Sequence, residues 1–151
     1  EQASERLLRL VPHLVGAEPL AHRDAHGDPQ RDVLTADQRE EITLVGKGED
    51  APWPDVGRGV AEAVATGAAD RGVACCWTGT GVSIAANKVA GVRAALCTDR
   101  ATAEGARKWN DANVLALGLR LTTTAVGDEI VEAFLATDPD GSEDGNIARV
   151  E

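Results

Sequence analysis

A chain of 151 residues is the length of one domain, enough to bury a core without disulfides or a structural metal. Its formal charge of −10 argues against a nucleic-acid binder, because phosphate backbones need clustered Lys and Arg, yet a few local arginines can still hold a small anion. No apolar run approaches the roughly 20 residues of a membrane span, and the odd set of cysteines, Cys75, Cys76 and Cys97, fits reduced thiols in a cytoplasmic protein better than a disulfide framework.

The first 40 residues show no clear secondary-structure pattern and no secretory signal. Leu7 to Val15 fits a strand or a helix, with Pro12 disfavouring a helix interior; residues 22–40 read as a loop and a short helix. From residue 42 the pattern is regular. Ile42 to Val45 reads as a strand. Val56, Val60 and Val64, four apart, predict a helix ending near Ala65. Gly72 to Cys76 reads as a buried strand, and Val82 to Val89 as a helix after a glycine-rich turn. Arg93 to Cys97 is a strand, followed by a helix capped by Thr98 or Asp99 and running to about Trp109. Asn113 to Leu117 is the next strand. Thr124 to Ala136 is a helix with an apolar face of Val126, Ile130, Val131 and Phe134, and with Gly127 near its start.

Strands alternating with helices predict a single α/β domain with a parallel sheet covered on both faces. Ligands of such sheets bind beyond the carboxyl ends of the strands. The segments after Cys76, Cys97 and Leu117 therefore share one rim.

The segment from Cys75 to Lys88 carries the chemistry. It is a strand end, a turn containing Gly79 and Gly81, and a helix start. Glycines permit positive φ, and a helix start offers unpaired N–H groups, which together make a nest for anions. A thiolate beside such a nest is the apparatus for taking a proton from carbon next to a carbonyl. Gly-x-Gly after a strand, taken alone, often only makes the turn.

The sequence Cys76-x-Thr78-Gly79-x-Gly81, followed by Ser83-Ile84-Ala85-Ala86-Asn87-Lys88, resembles the signature of the type-B ribose-5-phosphate and galactose-6-phosphate isomerase family. The resemblance continues through Gly91 to Cys97, Asn110 to Gly118 and Ile130 to Leu135, and covers roughly residues 42–151. It implies a Rossmann-like three-layer αβα sandwich around a mostly parallel five-stranded sheet. It also implies dimers or tetramers with active sites at the dimer interface. The implied activity is aldose–ketose isomerisation of a phosphorylated sugar, foremost ribose 5-phosphate to ribulose 5-phosphate through an enediolate, with no metal or organic cofactor.

Residue by residue, the resemblance makes Cys76 the base that moves the proton and Thr78 the residue assisting ring opening. Gly79, Thr80, Gly81, Val82 and Ser83 become the loop whose amides stabilise the enediolate oxygens. Asn110 binds substrate hydroxyls, and Arg120 and Arg149 hold the phosphate, usually across the dimer interface. Cys75 and Cys97 read as core residues.

Three departures stand out. Trp109 occupies the position where the family has a ring-opening histidine, and an indole cannot exchange a proton at neutral pH. Trp77 stands where glycine is common. The family's N-terminal Asp-His pair has no counterpart that can be carried over: Asp24-Ala25-His26-Gly27 follows no convincing strand, and His13 and His22 lie in the same region. Gly145 and Asn146 replace an Arg and a His common in the family. Trp77 and Trp109 therefore point to a reshaped substrate pocket. The alternatives are an isomerase of another sugar phosphate and a noncatalytic sugar-phosphate-binding member.

Overall fold

The computed structural model describes residues 52–151. The elements are α1 (Trp53–Ala65), β1 (Gly72–Cys76), α2 (Thr80–Ala86), β2 (Ala94–Leu96), α3 (Arg100–Asn110), β3 (Val114–Gly118), α4 (Thr124–Ala136) and the short α5 (Asp144–Ile147). The expected cap of α3 forms, Asp99 accepting a hydrogen bond from Thr102 N at 2.7 Å; α4 is capped in the same way by Thr123, which accepts one from Val126 N at 3.4 Å.

The described strands form one parallel sheet in the order β1-β3-β2, with Cys76 beside Gly118 and Leu96 beside Ala116. The chain moves from β1 past the place of β3 to β2, then turns back. Right-handed crossovers in opposite directions put α2 and α3 on opposite faces. Strand side chains alternate accordingly. Ala74, Leu96 and Ala116 meet Val82 of α2, while Val114 joins Ala61 of α1 and Ala86 of α2. Cys75, Leu115 and Leu117 face the other way, toward Ala103 and Ala106 of α3 and Ile130, Val131 and Phe134 of α4. This is the three-layer α/β arrangement expected. Three of the five expected strands fall among the described residues. The Ile42 to Val45 strand and everything read before it, including the three histidines, lie outside them.

Several element boundaries differ from the sequence reading by one to three residues, α1 opening at Trp53 and α2 at Thr80, and two of the differences share one reason. Helix α2 stops at Ala86, not Val89, and β2 is shorter than Arg93 to Cys97. Asn87 ends the helix and turns its side chain onto β2. Its Oδ1 accepts from Ala94 N at 2.8 Å, and its Nδ2 donates to Ala94 O at 2.8 Å. Arg93 N is taken by Asn113 Oδ1 at 2.8 Å. Side-chain amides thus do at the start of β2 what a ladder partner would do.

The amino edge of the sheet is tied by arginines. Arg107, 4% exposed, donates to Asp111 Oδ1 at 2.8 Å, Ala112 O at 2.7 Å and Thr137 O at 3.1 Å, and lies 5.7 Å from the centre of the Phe134 ring. Burial, and then the nearby Arg71, push its pKa down, while Asp111 opposes the shift. Arg93 pairs with Asp111 at 2.9 Å and with Glu151, and Asp140 N donates to Lys108 O at 3.1 Å. The end of the chain therefore runs along this amino edge.

Candidate active site

Parallel strands bring the ends of β1, β2 and β3 to one rim, as expected. β1 delivers Cys76 there because alternation turns its side chain toward Leu96 and Val82, while Cys75 turns into the opposite core. Cys76 is partly exposed. Its Sγ accepts a hydrogen bond from Gly79 N at 3.2 Å, so the turn folds back over the sulfur. Burial, aided by Cys76, pushes the Cys75 thiol up to about 12. Burial, aided by Asp99, pushes Cys97 up to about 11. Both remain neutral core thiols.

Gly79 is the hinge of the turn. Its φ of 77° is left-handed, and an added Cβ would lie 2.5 Å from Leu96 Cδ1 and 2.8 Å from Gly118 N. No other residue type fits both the angle and the space. Gly118 meets the same turn from below, where a Cβ would lie 2.6 Å from Thr78 O. Arg120 N donates to Trp77 O and Leu119 N to Cys76 O, each at 2.9 Å. The loops after β1 and β3 are thus held together, and the Arg120 backbone is fixed beside Trp77. Thr78 Oγ1 and Thr80 Oγ1 share a hydrogen bond of 2.7 Å. Helix α2 opens on Gly79 with no side-chain cap, so the first amides, from Thr80 to Val82, have no acceptor supplied by the helix itself.

Sequence reasoning missed Trp53. Its ring lies on Gly81, close enough that a Cβ there would come within 2.8 Å of the indole, and the residue is 50% exposed. Trp53 forms a wall of the turn from the first residue of α1. Its only signal in the sequence was that one of three tryptophans stood next to Pro54.

The remaining candidates lie elsewhere. Helix α3 runs back along the sheet, so Trp109 and Asn110 sit next to Asp111 and Asn113 at the amino edge. Arg149 follows α5, two residues before Glu151, which is held by Arg93 at that edge. A five-residue strand spans roughly 16 Å, so within one chain these three stand a strand's length from Cys76. Trp109 packs over Gly105 and, with Asn110, Leu96 and Ala106, lines a groove of about 390 Å³ along α3 and the start of the rim. The structure thus brings together Cys76, Trp77, Thr78, Gly79, Thr80, Gly81, Val82, Ser83 and the Arg120 backbone, and separates Trp109, Asn110 and Arg149 from them. Arg120 and Arg149 have no carboxylate partner among the described residues. Among those residues no group of His, Cys, Asp and Glu is gathered for a metal, and no helix is long and apolar enough to cross a membrane.

A family model described as Ribose/Galactose Isomerase matches residues 29–151. The chain is 42% identical over 104 residues to a D-erythrulose-4-phosphate isomerase of Pectobacterium atrosepticum, covering 69% of this chain and 67% of that one. It is 40% identical over 104 residues to ribose-5-phosphate isomerase B of Escherichia coli, covering 66% and 70%. The matched stretch spans from 48% to 75% of the length of such relatives. The type B ribose 5-phosphate isomerase of Trypanosoma brucei superposes with a TM-score of 0.76 at 36% identity, over 98% of this chain and 87% of that one. On the match over residues 29–151, joined to a parallel sheet whose first rim turn carries Cys76, the chain belongs to the ribose/galactose isomerase family of sugar-phosphate isomerases.

Proposed function

We propose that the protein is an aldose–ketose isomerase of a phosphorylated sugar in which Cys76 is the proton carrier. One observation supports this above all: a partly exposed sulfur at the sheet's carboxyl rim, 3.2 Å from the amide that opens the cradle. As a thiolate, Cys76 removes the proton from C2 of the open-chain aldose. The C–H electron pair forms the C1=C2 bond, and the carbonyl oxygen takes the negative charge. Amides at the start of α2 face that developing charge. The O2 proton passes to O1 as the carbonyl re-forms at C2, and the carried proton is delivered to C1. Thr78, hydrogen-bonded to Thr80, orients a substrate oxygen. Ribose 5-phosphate is the substrate named by the sequence resemblance; the relatives' names extend from tetrulose to hexose phosphates.

The placement of Arg149, Asn110 and Trp109 supports a site completed by a second copy, whose amino edge would meet this carboxyl rim. Exposed apolar residues stand at both rims, Trp77 and Leu121 at one, Trp109 and Val150 at the other, as an interface requires. In that homodimer Arg120 of one protomer and Arg149 of the other hold the phosphate, their guanidinium forks suiting its oxygens. A reduced, cytoplasmic setting suits the free thiol. Assay of the purified chain on aldose phosphates tests the reading: turnover that is lost in Cys76→Ala supports it, and no turnover of any aldose phosphate despite binding contradicts it.

A further inference from the structure

We propose that Trp53 is a positioning residue of the isomerase site, its indole seated on Gly81 and holding the turn after β1 in shape, an inference that rests on the reading of that turn as the cradle beside Cys76. Trp53 reaches the turn from a separate element, α1. Trp53, Gly57 and Ala61 are spaced four apart and share one face of that helix. Along α2 they meet, in the same order, Gly81, then Val82 and Ala85, then Ala86. A Cβ on Gly57 would lie 2.8 Å from Val82 O and 3.0 Å from Ala85 Cβ, and Ala61 and Ala86 are both fully buried. Small residues let the two helices close on one another there. At the end nearest the sulfur, one large flat ring takes their place.

Gly79 and Gly81 are glycines for different reasons. Gly79 has a left-handed φ and lies against the backbone of Leu117 and Gly118. Gly81 is not among the glycines of positive φ. The three atoms nearest an added Cβ at Gly81, at 2.8, 2.9 and 3.2 Å, all belong to the Trp53 indole. Backbone conformation does not demand glycine at this position; the ring does.

The consequence reaches the chemistry through the backbone. Gly79, two residues before Gly81, donates its N–H to Cys76 Sγ at 3.2 Å. The Ser83 amide closes the turn on Gly79 O at 3.1 Å. A shift at Gly81 therefore moves both the sulfur's hydrogen-bond donor and the amides proposed to face the enediolate. A misplacement of about 1 Å at reacting groups costs roughly 100-fold in rate, so a ring that need touch no substrate atom governs kcat. Trp53 is the first residue of its helix and half exposed, so truncating it frees the turn and leaves no deep cavity.

Four variants of the full chain test this: Trp53→Ala, Trp53→Phe, Gly81→Ala and the double variant Trp53→Ala with Gly81→Ala. On the aldose phosphate that the wild type turns over fastest, Trp53→Ala is expected to lower kcat about 10- to 100-fold while KM stays within about threefold. Trp53→Phe should restore most of that loss. Gly81→Ala should also lower kcat, and the double variant should be no slower than the slower single one, because the methyl then enters space the ring has left. Amide exchange followed by NMR gives a readout free of turnover. The Ser83 N–H is expected to exchange about tenfold faster in Trp53→Ala, with the Leu115 N–H of the central strand unchanged. A kcat for Trp53→Ala within about twofold of wild type, unchanged Ser83 exchange, or losses that simply multiply in the double variant would each overturn the inference. If Trp53→Ala fails to fold by circular dichroism, Trp53→Leu, which keeps bulk without the flat ring, is judged by the same thresholds. Cys76→Ala assayed in parallel separates the two readings. Turnover surviving that change defeats the role of the sulfur, and Ser83 exchange still decides whether Trp53 holds the turn; an inactive Cys76→Ala beside full kcat in Trp53→Ala defeats this inference alone.

Discussion

At the scale of single residues, adjacent cysteines have opposite fates because strand side chains alternate. Cys76 faces the turn and is partly exposed, whereas Cys75 and Cys97 lie in the core with thiols pushed up to about 12 and about 11 by burial. Iodoacetamide at neutral pH should therefore modify Cys76 in the native protein, and Cys75 and Cys97 only after unfolding; mass mapping of the labelled peptides checks this, and equal labelling of all three would contradict it. The same burial sets a pH dependence. The buried thiols keep their protons in the folded state while unfolded thiols ionise near 9, so the unfolded state loses protons first. Stability should fall as pH rises from about 9 toward 11, by roughly 1 kcal/mol per thiol at pH 10, as urea titrations would show. The residue types of the turn were legible in the sequence, since Gly79 and Gly81 after a strand announce a nest. Trp53 was not, because its contact with Gly81 joins residues 28 apart and leaves no local pattern.

Among the elements, periodicity located every described helix of more than one turn and every described strand. It misplaced the end of α2 and the start of β2, because Asn87 and Asn113 supply backbone hydrogen bonds from side chains, and no hydrophobic period reports that. The arginine clamp that joins α3 to the end of α4 was equally hidden. Arg107 satisfies carbonyls of two separate segments while buried against Phe134. Arg107→Met should leave Thr137 O and Ala112 O without donors and Asp111 short of one partner, costing roughly 3 kcal/mol. Denaturant unfolding measures this, and a change below about 0.5 kcal/mol would show that the clamp contributes little.

For the whole molecule, the sequence made the layers and the rim visible because alternating elements leave few topologies. It could not say that Asn110 and Arg149 lie at the opposite edge from Cys76, since that depends on where α3 and the chain end run. If two copies complete each site, Cys76→Ala and Arg149→Ala should each be inactive alone. Mixed under conditions that exchange subunits, they should recover roughly a quarter of wild-type activity, because half the dimers then hold one intact site; no recovery in verified heterodimers would contradict a shared site. The central claim, that one sulfur carries the proton between neighbouring carbons, is tested most directly by following hydrogen exchange at C1 and C2 of a sugar phosphate in deuterated water by NMR. With the wild-type chain the receiving carbon should take its hydrogen partly from the substrate and partly from solvent, because the Cys76 S–H exchanges with deuterium between pick-up and delivery, and Cys76→Ala should introduce no deuterium while still binding the substrate. Exchange that continues at the wild-type rate without the sulfur would contradict the account.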